Sequence, residues 1–466
     1  MQELLQNNEM TYSHNNYYEQ NVFPGMTPDK KPAVSYEAAR DRLPRPVFEG
    51  HDDYLACYDF AWKTAFGNIN VPPDGSGFVA SFLDTAFNGC TFMWDSCFMM
   101  MFAKYADRIF PFQRTLDNFY AKQHRDGFIC REIRNDTGLD RFARHDPSST
   151  GPALLSWSER VYYENMGDTE RLKKVYAPLR AYHLWYFRNR TWRDGTYYSS
   201  GWGCGMDNCP RMMPQYDTAF SHGRMVWIDI NLQQIFDCDN LIYIHDALGA
   251  EDDISDLIQE RDYLKKYVNE RLWDEKTAFY YDLWENDRFN YVKHIGAFWA
   301  LQAGVVPPER LERFVAHLTN EKEFNRPNAV PTLSADDVNY DPAGQYWRGS
   351  VWPNTDYMVL QGLTRNGYHD LAYTIGDKFL RNVVTAFNET GTVFENYSPE
   401  KAEKGNVARK DFVGWTGLAP ISVFFEYVLG IRPDAQNNRI VWYVNRTEKH
   451  GILQYPFGKT NTLDLI

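Results

Sequence analysis

The sequence predicts an all-α fold in which six helical hairpins close into a double ring, an (α/α)6 toroid. Three observations carry that prediction. Apolar residues recur at spacings of three and four from about residue 50 onward, the period of amphipathic helices. The candidate helices come as short-linked pairs, without the strand–helix alternation of a parallel sheet. They number about twelve, and antiparallel hairpins are the unit that short links favour. An open solenoid would use the same hairpins, but no repeat of about 30–45 residues is visible.

In chain order, residues 1–45 read as a non-helical arm of Asn, Tyr, Pro and Lys without periodicity, closed by Pro44 and Pro46. Residues 46–435 form the barrel, with helices near 53–67, 95–106, 112–123, 151–166, 169–189, 225–248, 252–271, 293–303, 308–318, 350–366, 368–386 and 414–429. Gly167-Asp168-Thr169 separates two of these, Gly249 to Asp252 another two, and Asn366-Gly367 a third pair. Pro307-Pro308 opens one, since proline is tolerated in a first turn. Residues 436–466 change character. Arg439–Val444 and His450–Tyr455 read as strands, a small β appendage. Three connections, Trp192–Tyr216, Asn320–Tyr346 and Thr390–Phe412, are long and carry Trp, Gly, Asp, Glu and Arg. Long loops in a compact domain usually serve a function.

Composition narrows the chemistry. The 466 residues carry a net charge of −13, which argues against a nucleic-acid partner. The most apolar stretches, Phe92–Ala106 and Leu418–Ile431, are interrupted by Asp95 and Glu426 and are too short to span a membrane. No signal-peptide pattern opens the chain, and the seven cysteines form no CxxC pair. The expectation is a cytoplasmic protein, or a periplasmic or secreted one if a leader has been removed, whose cysteines behave as small buried hydrophobes, with no zinc site. Asn-x-Ser/Thr triplets at Asn135 and Asn396 are short enough to arise by chance. Aromatic residues reach 16%. They build either a large aromatic core or a cleft paved with rings, on which the CH faces of sugars stack.

Four segments carry candidate chemistry. In Ser200–Arg211 (SGWGCGMDNCPR), three glycines let the backbone approach a ligand, and Asp207 sits beside Met206 and near Trp202. Apolar surroundings would raise its pKa and suit it as a general acid. An Asx-turn before Pro210 accounts for the same residues. In Val393–Pro399 (VFENYSP), Glu395 lies between aromatics and could activate water, though most loop glutamates are simply solvated. In Tyr346–Pro353 (YWRGSVWP), Arg348 lies near Trp347 and Trp352, where a guanidinium can stack on indole and fork bonds to hydroxyls, or pair a structural Asp. Trp94-Asp95 opens an otherwise apolar helix, so Asp95 either complements the helix dipole or accepts sugar hydroxyls. Gln123, Arg131 and Glu132 are secondary cleft candidates around the Asp126-Gly127 turn. No HExxH, P-loop, GxSxG or GxGxxG pattern is present. His222 is the one histidine near these loops, and a structural role fits it better.

Together these motifs resemble the inverting (α/α)6-barrel glycosidases related to glycoside hydrolase family 63, which include processing α-glucosidases and mannosylglycerate hydrolases, and more distantly the family 37 trehalases. The resemblance runs from about Phe78 to Pro420. Gly205-Met206-Asp207-Asn208-Cys209-Pro210-Arg211 is similar to the loop carrying the general acid, which implies that role for Asp207. Glu395-Asn396-Tyr397 is similar to the loop carrying the general base, which implies that role for Glu395. Trp347–Trp352 resembles the Trp-Arg-Gly-x-x-Trp segment lining the sugar site. Trp94-Asp95 and Gly414–Pro420, with Trp415, also have counterparts. The Gly-Gly-Arg-Phe-x-Glu signature of trehalases is missing.

The resulting expectation is an inverting, exo-acting α-glycoside hydrolase on a short oligosaccharide or small glycoside. Its sugar-holding residues would be Trp94, Asp95, Gln123, Trp202, Tyr346, Trp347, Arg348, Gly349, Trp352, Tyr397 and Trp415. No cofactor is expected; a calcium ion is compatible with the sequence, but nothing demands one. A sugar 2-epimerase, which would need paired histidines, and a silent sugar-binding protein are the alternatives. Sugar identity and oligomeric state are not legible.

Overall fold

The computed structural model describes residues 13–466. Twelve helical segments follow the predicted order: α1 Asp52–Gly67, α2 Met93–Ala103, α3 Asp117–Ala121, α4 Leu155–Met166, α5 Thr169–Asn189, α6 Ile228–Leu248, α7 Ser255–Tyr267, α8 Trp299–Gln302, α9 Pro308–Val315, α10 Pro353–Arg365, α11 His369–Thr390 and α12 Ala419–Val428. Their ends obey local chemistry. Asp168 caps α5 by accepting the Arg171 N–H, and left-handed glycines stop α4, α6 and α11. The last segment, α12, is wound as a wide π-type helix, not as the regular helix its periodicity predicts.

Burial separates inner from outer helices. Every residue of α2 and of α12 is buried, so these helices are surrounded on all sides. In α7 only Leu257 and Leu264 are buried, and in α9 only Phe314 and Val315, so each shows one face to the core. The even-numbered helices contact one another in sequence, α2 with α4, α4 with α6, α6 with α8, α8 with α10 and α10 with α12, and α12 returns to α2. At their centre the Trp157 ring lies 5.6 Å from Phe98, 5.7 Å from Phe236, 5.6 Å from Trp299 and 6.5 Å from Tyr357. Five helices thus meet on one indole. Offset and edge-to-face pairs of this kind add to the apolar area they bury.

The ends of the chain differ from expectation. The arm contains a short helix, Tyr36–Ala39, capped by Ser35. It is tied to the body, because the Asn15 amide donates to the Asp126 and Ala181 carbonyls at 2.8 and 2.9 Å. The strand Arg45–Phe48, which straddles the expected end of the arm, pairs antiparallel with His450–Phe457, which also pairs with a third strand, Asn461–Leu465. The C-terminal β segment therefore supplies two strands of a three-stranded sheet shared with the N-terminal region. A separate hairpin of Ile431–Asp434 and Arg439–Trp442 starts before residue 436. Among the described residues no helix is long and apolar enough to cross a membrane. All seven cysteines are buried and free.

Candidate active site

Loops entering the N-terminal ends of inner helices build a cleft of about 300 Å³. It is lined by Phe87, Asn88, Phe92, Trp94, Asp95, Arg131, Glu132, Arg141, Phe142, Trp202, Gly205, Asp207, Tyr346, Trp347, Glu395, Arg409, Phe412 and Trp415.

A short strand pair seats the first wall. Cys90–Phe92 pairs with Glu132–Arg134, and the Met93 N–H donates to the Arg131 carbonyl at 2.8 Å. This sets Trp94-Asp95, at the start of α2, beside Arg131 and Glu132. Arg131 Nη2 lies 2.6 Å from Glu132, and its guanidinium stacks 4.6 Å from the Phe142 ring and 5.7 Å from Trp202. Asp95 is only 7% exposed. Burial drives its carboxyl well above the usual range, and Glu395 and Glu132 push the same way.

The second wall is the Asp207 loop. Ser200 caps the turn Gly201–Cys204 by accepting the Gly203 N–H. Gly205 then adopts φ +82°, with its α-carbon so close to Trp94 that a Cβ there would sit 2.2 Å from the indole. Only glycine satisfies both conditions. At the far end the Arg211 guanidinium is buried between two carboxylates. Nη1 donates to Asp229 at 2.7 Å, Nε donates to Asp282 at 2.9 Å, and the group stacks 4.2 Å from the Trp227 ring. The guanidinium holds Asp282 well below the usual carboxylate range. Breaking a buried pair of this kind costs about 3–5 kcal/mol, so the loop is anchored at both ends. Asp207 itself is pushed up to about 7, by burial first and by Glu132 and Glu395 in addition, against the opposing effect of Arg131.

The third wall joins two segments by backbone. Val351 and Tyr397 exchange hydrogen bonds at 2.9 Å in both directions. The Glu395 N–H donates to the Arg409 carbonyl at 2.9 Å, and the Trp415 indole donates to the Glu395 carbonyl at 2.9 Å. Glu395 is 5% exposed, with the Arg409 N–H 3.3 Å and the Arg409 guanidinium 3.7 Å from its carboxylate. Burial nevertheless raises its pKa above the ordinary value. Tyr346 has φ +59°, a strained conformation for a bulky residue and one found at binding sites.

The structure brings together Trp94, Asp95, Trp202, Tyr346, Trp347, Trp415, Asp207 and Glu395. Five other expected sugar contacts lie elsewhere. The Gln123 amide is spent on the Gly127 and Pro178 carbonyls, and its oxygen accepts from Asn21. Arg348 closes a tight turn with Gln345 and donates to the Asn208 carbonyl at 3.2 Å, outside the cleft lining. Gly349, at φ +115°, packs on Tyr340. Trp352 lies behind Trp347, stacked at 4.0 Å and 10°. The Tyr397 phenol oxygen accepts the Phe394 N–H, holding the Glu395 loop from behind. His222 packs edge-on against Trp192 and Tyr198, away from the cleft. Sequence reasoning missed Phe87, Arg141, Phe142, Arg409 and Phe412. The Arg141-Phe142 pair in a Gly- and Pro-rich stretch offered a signal; Arg409 offered none.

Comparison with known proteins decides the family. The mannosylglycerate hydrolase MGH1-like glycoside hydrolase domain matches residues 90–416. The chain belongs to this glycoside hydrolase family. The matched span runs from the strand before Trp94 through Trp415, so it contains all three walls of the cleft. An uncharacterized protein of Borreliella burgdorferi is 24% identical over 79% of this chain and 77% of its own. A probable mannosyl-oligosaccharide glucosidase of Schizosaccharomyces pombe is 28% identical over 57% of this chain, but this match spans only 33% of that relative's length. The crystal structure of a family 63 mannosylglycerate hydrolase from Thermus thermophilus, in complex with glucose, superposes with a TM-score of 0.63 at 20% identity, covering 78% of this chain and 99% of that one. This MGH1-like chain is a glycoside hydrolase with the fold of that enzyme.

Proposed function

We propose that the chain is an inverting, exo-acting α-glycosidase acting on a small α-mannoside or α-glucoside, with Asp207 as general acid and Glu395 as general base. The contact circuit that runs through the even-numbered helices and returns to α2 supports a closed (α/α)6 double ring, with the cleft at the helix N-termini. One observation carries the reading: two carboxylic acids on separate loops converge on one ring-paved cleft, and both have raised pKa values. Asp207, pushed up to about 7, keeps its proton in a substantial fraction of molecules at neutral pH and gives it to the glycosidic oxygen. Glu395, in its carboxylate form, takes a proton from the attacking water. Inversion requires the carboxyls about 6.5–9.5 Å apart to leave room for that water. Asp95 and Glu132 accept sugar hydroxyls, and Trp94, Trp202, Trp347 and Trp415 stack on the ring.

The cleft volume is at the lower end for ligand sites, which favours a small glycoside such as those named for the relatives. Among the described residues that line the cleft there is no histidine, which disfavours the epimerase reading. Seven free, buried cysteines favour a reducing compartment.

The test is a pH profile of kcat/KM on the best substrate from a panel of α-mannosides, α-glucosides and glycerate glycosides. Activity rises as Glu395 loses its proton above the ordinary glutamate value of 4.5 and falls as Asp207 loses its own near 7. A rate that stays flat well past neutrality removes Asp207 as the acid. Turnover of nothing in the panel removes the substrate class.

A further inference from the structure

We propose that His183, Cys238 and Glu260 bind a zinc ion at the root of the loop that carries Asp207. The three residues come from α5, α6 and α7, and their ligand atoms all lie within 4.8 Å of one another. His183 Nε2 is 3.3 Å from Glu260 Oε2 and 4.0 Å from Cys238 Sγ. Zinc bonds of about 2.0–2.1 Å to nitrogen, 2.0–2.2 Å to oxygen and 2.3 Å to sulfur place tetrahedral donors about 3.3–3.6 Å apart. The nitrogen and oxygen already have that separation, the nitrogen and sulfur need to close by a few tenths of an ångström, and the sulfur and oxygen lie within 4.8 Å of each other.

The surroundings are those of a metal ligand set. His183 Nδ1 lies 2.8 Å from Asp237 Oδ2. A carboxylate that accepts a hydrogen bond from Nδ1–H fixes the tautomer whose Nε2 lone pair is directed at the metal. Asp237 is itself held by the Ser156 hydroxyl. The second oxygen of Glu260 accepts from the Tyr197 phenol at 2.5 Å, which orients that carboxylate. Without an ion, the Cys238 thiol makes only a long 4.0 Å contact to the same His183 Nε2 that faces Glu260 at 3.3 Å, and a metal would replace both contacts with bonds. His183 and Glu260 also line an open pocket of about 390 Å³ with Asp256 and Tyr263. That pocket gives a path for the ion and room for a water as fourth ligand.

A mixed nitrogen, sulfur and oxygen donor set suits zinc, whereas calcium and magnesium prefer oxygen alone. Burial pushes the Cys238 thiol up to about 12, so metal binding displaces its proton to solvent as the thiolate forms. No short motif marks the site, because His183 lies 55 residues from Cys238 and 77 from Glu260. The consequence is positional. Tyr197 precedes the Asp207 loop and is clamped by the Asn231 side chain at 2.9 and 3.0 Å. An ion holding Glu260 therefore fixes the root of the acid loop and takes no part in the chemistry.

The experiment titrates metal-stripped full-length protein with cobalt(II), then displaces it with zinc. The expected result is one equivalent bound, with a thiolate-to-cobalt charge-transfer band that zinc abolishes. Cys238→Ser loses the band, and Glu260→Gln, which keeps the Tyr197 contact and an intact core, binds zinc at least ~10-fold more weakly. Asp237→Asn weakens binding about 10–100-fold. Folded wild type that takes up no metal overturns the proposal, and so does a band that persists in Cys238→Ser or zinc affinity unchanged in Glu260→Gln. These readouts do not depend on glycoside turnover, so failure here leaves the assignment of Asp207 and Glu395 unaffected.

Discussion

Asp207→Asn lowers kcat on an α-glycoside with a poor leaving group by about 10²–10⁴-fold, the usual contribution of a positioned general acid. The substitution is nearly isosteric. The loop is held by Ser200 at one end and Arg211 at the other, and the neighbouring Asn208 side chain accepts the Trp347 N–H at 2.8 Å. None of these contacts uses the Asp207 carboxyl, so the variant folds and binds sugar. What it loses is the proton that burial keeps on Asp207 up to about pH 7. The loss therefore depends on the leaving group. A glycosyl fluoride, whose departure needs no protonation, is cleaved by Asp207→Asn at close to the wild-type rate. Equal loss on both substrates, measured by steady-state kinetics, contradicts the assignment.

Glu395→Gln gives a loss of similar size with the opposite dependence. A general base acts on water, so a better leaving group does not rescue the variant, and the fluoride is hydrolysed as poorly as the natural glycoside. The amide retains the loop geometry, because Glu395 is positioned through its backbone, to Arg409 and to the Trp415 indole. Added azide, a nucleophile that needs no base, restores cleavage of the fluoride and yields a glycosyl azide. A variant that remains active on the fluoride without azide would show that Glu395 does not activate the water.

The contrast between these carboxylates and the five displaced residues shows what a sequence makes legible. Asp207, Glu395 and Asp95 stand at sharp backbone features, namely glycine turns, a proline-ended loop and a helix start, and those features persist in the fold. The Trp347–Trp352 segment read as one lining strip, yet only its first part lines the cleft. Tyr346 at φ +59° and the Gln345–Arg348 turn set Arg348 on the Asn208 carbonyl and not in the cleft lining, and the stacking of Trp352 behind Trp347 makes it support. Spacing does not reveal that reversal. Gln123 is a polar residue recruited by Asn21 of the N-terminal arm and by the Pro178 carbonyl, contacts between segments far apart in sequence, as well as by the nearby Gly127 carbonyl. Arg409 reaches Glu395 across the two arms of one loop, fourteen residues away, a pairing that no local period marks. The helices were legible because their period is local. The strand Arg45–Phe48 was not, because its partner lies some four hundred residues later.

The central claim is that Asp207 and Glu395 act together on one bond with a water between them. Proton NMR of the anomeric region during wild-type hydrolysis tests it most directly. The expected result is that the β-anomer of the released sugar appears first, and that the α-anomer grows only at the rate of mutarotation. Initial release of the α-anomer would mean retention of configuration, a covalent intermediate and a different role for Glu395.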